Sequence, residues 1–172
     1  MSRISPIIIL GAWVFNFLNA VSIGGHLAGY SSPHRTRLAL GLPLWALGFA
    51  GTVAHDEILR RLRRPSSSTS SSSKDGKAAV QIHTVPDGHG GTKTYVLPQQ
   101  GLFGWVLSAH YLCEWIEWVG FYVATGESVP ARNFVAAEVA TMLPRAVTAR
   151  RWYQEHFGDA VKGRWAVLPG IV

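Results

Sequence analysis

The residues that decide the fold are 4–30, ISPIIILGAWVFNFLNAVSIGGHLAGY, a block without a single Lys, Arg, Asp or Glu. A helix needs about 20 consecutive apolar residues to cross the hydrocarbon core of a bilayer, and this block exceeds that length. Asn16, Asn19 and His26 are polar, and polar side chains inside a span usually face other helices or a water-filled cavity. Because no small-residue cleavage site is evident, we interpret the block as a retained membrane helix and not as a signal peptide.

Three further apolar blocks follow, and together the blocks predict a membrane protein with about four spans. They cover residues 38–54, 102–125 and 129–149. Only 15% of the residues are charged, whereas soluble domains carry about a quarter. The single cysteine, Cys113, excludes a disulfide framework. The predicted fold is therefore all-α, a polytopic transmembrane helical bundle with a disordered Ser-rich loop and a small β-hairpin.

The loop and the hairpin lie between the second and third apolar blocks. Residues 66–73 are Ser and Thr only, a composition typical of a flexible, solvated insert. Residues 80–96 alternate apolar and polar side chains around a turn that contains Asp87-Gly88, a pattern that predicts a hairpin. We expect three segments: a two-helix membrane part over 1–64, a cytosolic insert over 65–96 and a C-terminal domain over 97–172.

The basic residues flank the apolar blocks. The formal net charge is +6, and most of the 16 Lys and Arg residues lie near the N-terminus, in the 56–100 segment or in the C-terminal tail. Basic flanks bind anionic lipid headgroups and mark the cytosolic side of a span. The pattern therefore predicts membrane lipids as partners, not nucleic acid, and places both chain ends in the cytosol. The sequence leaves the oligomeric state open.

His110, Glu114 and Glu117 fall on one face of the third block, because residues three and four apart are neighbours on a helix. Carboxylates within a span are costly unless something offsets their charge. A metal ion would need matching ligands on a second helix, for which only Glu138 is present, so we assign no metal. A bound polar ligand and an internal ion pair with Arg132 or Arg145 remain open as explanations.

Two groups of arginines end apolar blocks, and both groups suit phosphate. They are Arg60, Arg61, Arg63 and Arg64 after the second block, and Arg145, Arg150 and Arg151 at the end of the fourth. Arginine binds phosphate oxygens with two parallel hydrogen bonds, so the groups could clamp a dinucleotide as well as lipid headgroups. No Gly-x-Gly-x-x-Gly or Walker motif occurs, and a nucleotide site would have to be built from helices.

Several spaced motifs resemble the steroid 5α-reductase (3-oxo-5-alpha-steroid 4-dehydrogenase) family. The motifs are DxILRxLR (56–63), LPQQGLF (97–103), YLxExxEWxGF (111–121), PRA (144–146), RWYxxxF (151–157) and KxRxAVLP (162–169). The resemblance is strongest over 97–169. It implies an integral membrane oxidoreductase that passes a hydride from NADPH to the C=C bond of a conjugated lipid enone, for which we prefer a 3-oxo-4-ene steroid. It also implies the endoplasmic reticulum membrane.

The resemblance also implies which residues bind the cofactor. Asp56 and Arg63 would contact the nucleotide part of NADPH, and Glu114 would hold the nicotinamide amide. Arg145 would pair with a phosphate, and Tyr153 would hydrogen-bond near the same site. His110 stands where steroid-branch members carry Asn, and we count it as cofactor-binding. The hydride belongs to the nicotinamide, so these side chains supply position and polarity.

The chain also departs from the family pattern. An upstream Asn of the family aligns with Thr52, and one His aligns with Ala149. Family members have about seven spans, and the Glu and Tyr that polarise the substrate carbonyl lie in N-terminal spans without a counterpart here, so no catalytic residue is assigned. The alternatives are a truncated, non-catalytic membrane protein of the same fold, and a reductase of polyprenal-type or enoyl-CoA substrates.

Overall fold

The computed structural model describes residues 5–30, 34–63, 82–86, 91–126 and 128–172. It is mostly helical. The four α-helices of the described residues are α1 (Pro6–Tyr30), α2 (Arg35–Arg63), α3 (Ala109–Ala124) and α4 (Val129–Phe157). Two short 3₁₀ turns, Gly101–Gly104 and Gly158–Val161, precede α3 and follow α4. The predicted Ser-rich loop lies outside the described residues.

Helices α1 and α2 are long and apolar enough to cross a membrane. Their qualifying segments are Pro6–Gly29 and Arg35–Arg63. Large apolar side chains on α1 are exposed, among them Trp13 at 75% of its surface, and an apolar surface of this extent needs a non-aqueous partner. These two helices indicate a membrane protein.

Helices α3 and α4 do not meet the same criterion among the described residues. Helix α3 has 16 residues, a length of about 24 Å at 1.5 Å per residue, which is shorter than the hydrocarbon core. Helix α4 is longer, but it carries charged side chains such as Arg132 and Glu138. The prediction of four spans therefore stays a prediction for these two helices.

The small β-hairpin is confirmed. Strand β1 (Ile82–Pro86) pairs antiparallel with β2 (Thr92–Val96), in a register that sets Ile82 opposite Val96. The turn residues 87–90 lie outside the described part of the chain. An isolated two-stranded hairpin is marginal in water, so its contacts with α4, described below, are needed to hold it.

The chain divides into two compact units, each built from two separate segments. Unit 1 consists of residues 1–49 and 115–140, and unit 2 of residues 50–114 and 141–172. Helices α2, α3 and α4 each contribute one part to each unit. The expected division into 1–64, 65–96 and 97–172 stays a prediction.

Glycines bring the backbones of α2 and α3 together in unit 1. A Cβ atom added to Gly48 would overlap the backbone of Glu117, and one added to Gly120 would overlap the backbone of Trp45. Neither neighbour can rotate away, because both contacts are with backbone atoms. Helix α1 differs, since Ile23 is its only buried residue within the described range, and its glycines meet no atom within 4 Å. Unit 1 thus contains a tight helix pair and a loosely packed α1.

Unit 2 is closed by the C-terminal tail, which pairs with the residues before α3. Val106 and Trp165 form a parallel bridge, and the Leu107 N–H donates to the Trp165 carbonyl at 2.8 Å. The Arg164 guanidinium donates to the carbonyls of Pro98 (3.0 Å) and Phe103 (3.2 Å). The third apolar block therefore becomes α-helical only at Ala109 and not at 102, because residues 105–108 pair with the tail instead.

His55 fastens α2 to the turn that precedes α3. Its Nδ1 lies 2.7 Å from the Gly51 carbonyl, and its Nε2 accepts the Leu102 N–H at 3.1 Å. Because Nε2 must accept, the proton lies on Nδ1 and is donated to Gly51. Gly101 has φ +60°, and a Cβ there would lie 2.9 Å from the His55 Nε2. Only glycine suits both the backbone conformation and the contact.

We expect His55→Ala to destabilise unit 2 by about 1–3 kcal/mol, because it removes the acceptor of the Leu102 N–H and leaves that donor unsatisfied. Thermal unfolding of the purified chain in detergent would measure the effect as a lower midpoint. His34→Ala, at an exposed histidine before the same helix, is the matched control and should leave the midpoint unchanged. Equal midpoints for both variants would contradict the assigned role of His55.

Candidate functional site

The structure places all six residues predicted to bind the cofactor in unit 2. Asp56 and Arg63 are exposed on the C-terminal part of α2, and His110 and Glu114 are half-buried one turn apart on α3. Arg145 and Tyr153 lie on α4, where Arg145 is exposed and Tyr153 is half-buried. Residues from three helices, separated by up to 97 positions in the sequence, therefore belong to the same compact unit.

Charged side chains on α2 act electrostatically on residues of α3 and α4 in this unit. Asp56 and Arg63 both act electrostatically on His110, and His55 also contributes at that position. Arg63 acts in addition on Tyr153 of α4. Arg63 thus acts electrostatically both on His110 of α3 and on Tyr153 of α4.

An open groove along α4 contains two of the predicted residues. This feature, the α4 groove, has a volume of about 650 Å³. It is lined by Tyr95, Pro144, Arg145, Thr148, Ala149, Trp152 and Tyr153. The groove therefore brings together Arg145 and Tyr153. The other four predicted residues do not line it; they are Asp56, Arg63, His110 and Glu114.

Aromatic side chains fasten the hairpin onto the wall of the α4 groove. The ring of Tyr95, on β2, lies 4.6 Å from the ring of Trp152, measured between centroids. On β1, the His83 ring contacts that of His156 at 4.9 Å, and His156 stacks on Trp152 at 4.2 Å. Both strands are therefore held against α4, and the hairpin forms one side of the groove.

Burial raises the pKa of the Tyr153 phenol above its usual range. The nearby Arg63 charge opposes this shift, and Tyr95 adds to it. The phenol therefore stays protonated at physiological pH and can donate a hydrogen bond into the α4 groove. The groove therefore contains one cation, the Arg145 guanidinium, and one neutral hydrogen-bond donor, the Tyr153 phenol.

Two buried nitrogen atoms in unit 2 have no hydrogen-bond partner among the described residues. They are Nδ1 of His110 and Nε of Arg150. The Arg150 guanidinium also lies 5.7 Å from the centre of the Trp165 ring, a cation–π contact that does not occupy its Nε–H. Buried polar atoms without partners are uncommon in proteins, and a bound polar ligand is one of the few ways to satisfy them.

Metal ligation finds no support in the described ranges. No group of three or more His, Cys, Asp or Glu side chains able to hold a metal ion occurs among these residues. His110 and Glu114 lie one turn apart, as the sequence indicates, but two side chains do not complete a carboxylate metal site.

Sequence reasoning missed three residues that shape unit 2. Tyr95 and Trp152 form the wall of the α4 groove, and His55 joins α2 to the turn before α3. The aromatic ring of Tyr95, after three polar residues in β2, could have indicated a contact outside the hairpin. Nothing in the local sequence identifies Trp152 or Leu102 as the partners of Tyr95 and His55.

Comparison with known proteins identifies a family that matches this chain. The family described as 3-oxo-5-alpha-steroid 4-dehydrogenase matches residues 82–172. A protein of Schizosaccharomyces pombe described as uncharacterized is 37% identical, over 99% of this chain and 60% of its own length. The 3-oxo-5-alpha-steroid 4-dehydrogenase 2 of Macaca fascicularis is 34% identical, over 78% of this chain and 43% of its own length.

A third relative agrees with these two. The 3-oxo-5-alpha-steroid 4-dehydrogenase 1 of Rattus norvegicus is 30% identical, over 77% of this chain and 41% of its own length. The chain thus spans between about two fifths and three fifths of the length of these relatives. The resemblance inferred from the spaced motifs is confirmed, and the chain belongs to the 3-oxo-5-alpha-steroid 4-dehydrogenase family.

Proposed function

We propose that this chain acts in a membrane oxidoreductase that reduces the C=C bond of a conjugated lipid enone with NADPH. Curated relatives are named for 3-oxo-5-alpha-steroids, and we extend this substrate class to the chain as a 3-oxo-4-ene steroid. The observation that carries the proposal is the α4 groove, in which Arg145 and the protonated Tyr153 face the same space. The partners we propose are the steroid or lipid substrate and the lipids of the bilayer.

The residues of unit 2 fit a dinucleotide. The α4 groove, at about 650 Å³, falls within the roughly 300–1,000 Å³ of small-molecule sites. Its guanidinium suits a phosphate, and its aromatic wall suits a planar ring. The buried His110 Nδ1, which has no partner among the described residues, adds a polar atom that a ligand could satisfy.

The chain's own residues would bind and orient the cofactor. In our proposal Arg145 pairs with a phosphate, and Tyr153 donates a hydrogen bond nearby. Arg63 adds positive potential, as its effect on Tyr153 suggests, and with Asp56 it binds the nucleotide part. Glu114 holds the nicotinamide amide, with His110 beside it on α3. When bound, the reduced nicotinamide supplies the hydride.

We further propose that the protein resides in the endoplasmic reticulum membrane, with α3 and α4 as additional membrane helices and the C-terminus in the cytosol. The basic residues that end α2, such as Arg60 and Arg63, and those late in α4 support this orientation. A thiol-reactive, membrane-impermeant reagent on a chain with Val172→Cys in sealed microsomes would test it. Labelling from the cytosolic side is expected, and labelling only after permeabilisation would contradict the orientation.

Steroid-dependent oxidation of NADPH tests the activity itself. Membranes that carry the chain are supplied with NADPH and a 3-oxo-4-ene steroid, and the product is identified by mass spectrometry. We expect NADPH consumption that requires the steroid and a product heavier by two hydrogens. Parallel assays with a polyprenal and with a 2-enoyl thioester test the alternative substrates. Well-expressed chain that consumes no NADPH with any of the three would contradict the proposal.

A further inference from the structure

The hairpin meets the end of α4 through two histidines, the histidine pair. His83 lies on β1, and His156 lies in the last turn of α4. Their imidazole rings are 4.9 Å apart between centroids and meet edge to face, with 82° between the ring planes. Both side chains are half-buried, so protons from solvent can reach them. Both residues belong to unit 2.

The His156 ring is held on α4 whether it is neutral or charged. Its Nδ1 lies 2.8 Å from the Trp152 carbonyl oxygen, which can only accept, so Nδ1 carries a proton and Nε2 gains or loses the second one. The ring also stacks on Trp152, with centroids 4.2 Å apart and 19° between the planes. The C-terminal end of a helix and the face of an indole both attract a cation. Protonation of His156 alone therefore leaves its position unchanged.

A second positive charge, on His83, has no such support. Within the described ranges, the His83 ring contacts His156 and, at 5.8 Å, the Phe157 ring. No carboxylate of the described residues forms an ion pair with either histidine. The other titratable or charged side chains on the elements around the pair are Lys93 and Tyr95 on β2, Arg151, Tyr153 and Glu155 on α4, and Asp159 in the 3₁₀ turn that follows.

The charge of the histidine pair decides whether the contact is attractive. Two neutral rings pack edge to face, and one charged ring is attracted to a neutral one. Two charged rings repel each other, and burial weakens the screening of that repulsion by water. The released hairpin therefore binds more protons than the docked one, so docking weakens as the pH falls. A two-stranded hairpin is marginal without such contacts, and loss of this one is enough to release it.

We propose that His83 and His156 form a pH-sensitive contact, which holds the hairpin on α4 while at most one ring is charged and releases it when both are protonated. His83 stands opposite Tyr95 in the hairpin, so release also separates Tyr95 from Trp152, and the α4 groove loses one wall. Leu97, which follows β2, stays buried against Leu107 and Val161 and keeps that end of the hairpin in place. The effect on the groove rests on the proposed function, whereas the release itself requires no nucleotide.

The distance between two spin labels tests the release in the full chain, reconstituted in lipid nanodiscs without NADPH. The labels are attached at Thr84→Cys on β1 and Gln154→Cys on α4, both exposed positions, and Cys113→Ala removes the single native cysteine. Dipolar EPR is recorded from about pH 7.5 to about pH 5, within which histidine changes its charge. We expect one short distance at the upper pH and a broad, longer distribution at the lower pH. The midpoint should lie on the acid side of pH 7, because the first proton opposes the second.

Phenylalanine variants separate the charge of the pair from its packing. His83→Phe and His156→Phe each keep an aromatic ring at the contact but cannot take up a proton, so each chain should keep the short distance at about pH 5. His34→Phe is the matched control, because His34 is exposed before α2, and it should show the wild-type transition. A wild-type distance that does not change with pH would overturn the proposal. So would a transition that persists in either variant of the pair, or a hairpin already released at about pH 7.5 in both.

NADPH binding then tests the effect on the α4 groove. The wild-type chain and His83→Phe should bind NADPH equally at about pH 7.5. At about pH 5 the wild-type chain should bind about tenfold more weakly than the variant, if about a tenth of its hairpins remain docked. The ratio of the two affinities removes the titration of the nucleotide's own phosphate, which also occurs near pH 6.

The two measurements can fail separately. Equal affinities at about pH 5, despite a wild-type transition in the label distance, would overturn the effect on the groove. Absence of NADPH binding at either pH would contradict the proposed function, but it would leave the measured release of the hairpin unchanged, because that measurement contains no nucleotide.

Discussion

Arg145→Gln is expected to weaken NADPH binding by roughly 10–100-fold, because a charge-assisted hydrogen bond to phosphate contributes about 1.5–3 kcal/mol. Arg145 is the only cation among the residues that line the α4 groove, so within that groove no other side chain can replace its charge. The measurement is equilibrium binding of NADPH to the full chain in nanodiscs, followed by the intrinsic fluorescence of the nucleotide.

Arg151→Gln is the control for this prediction. Arg151 lies on the same helix and is exposed, but it does not line the α4 groove. Its replacement removes the same charge from the surface and should change the affinity by less than about threefold, the size expected of a screened surface charge. If the two variants lose affinity equally, Arg145 contributes only general positive potential and the assigned phosphate contact is wrong.

Gly48→Leu is expected to prevent the chain from folding stably. The new side chain would overlap the backbone of Glu117, which cannot rotate away, so α2 and α3 would have to separate. Overpacking typically costs about 1–3 kcal/mol and occasionally more, which is a large part of the stability of a domain. The expected observation is aggregated protein in size-exclusion chromatography after extraction in mild detergent.

Gly11→Leu is the companion substitution for Gly48→Leu. Gly11 is also a helical glycine in an apolar block, but a Cβ there meets no atom within 4 Å, so the variant should elute as the wild-type chain does. Gly48→Ala should fall between the two variants. A Gly48→Leu chain with a wild-type elution profile and thermal midpoint would show that α2 and α3 do not pack as closely as described.

Elements that depend on local pattern could be predicted from the sequence. The hairpin followed from the alternation of residues 80–96 and from its turn residues, and both strands occur where this pattern places them. The first apolar block became α1, because an uninterrupted apolar run of this length has few alternatives to a helix. The second block is shorter and contains Pro43, but it became part of the long helix α2. The start of α3 was not predictable, because residues 105–108 pair with Trp165 and Ala166 at the far end of the chain.

The spaced motifs named candidate site residues, but they could not give the geometry of those residues. The spaced family motifs identified Arg145 and Tyr153, and the structure places both in one groove. Which aromatic residues face that groove depends on how the hairpin docks on α4, and the contact of Tyr95 with Trp152 spans 57 positions in the sequence.

Hydrogen–deuterium exchange with saturating NADPH tests most directly whether the α4 groove holds the cofactor. The full chain in nanodiscs is compared with and without NADPH, and exchange is resolved by peptide. We predict slower exchange in β2 (Thr92–Val96) and over 144–153 of α4, with α1 unchanged. Saturable NADPH binding that leaves both segments unprotected, or no binding at all, would contradict this account.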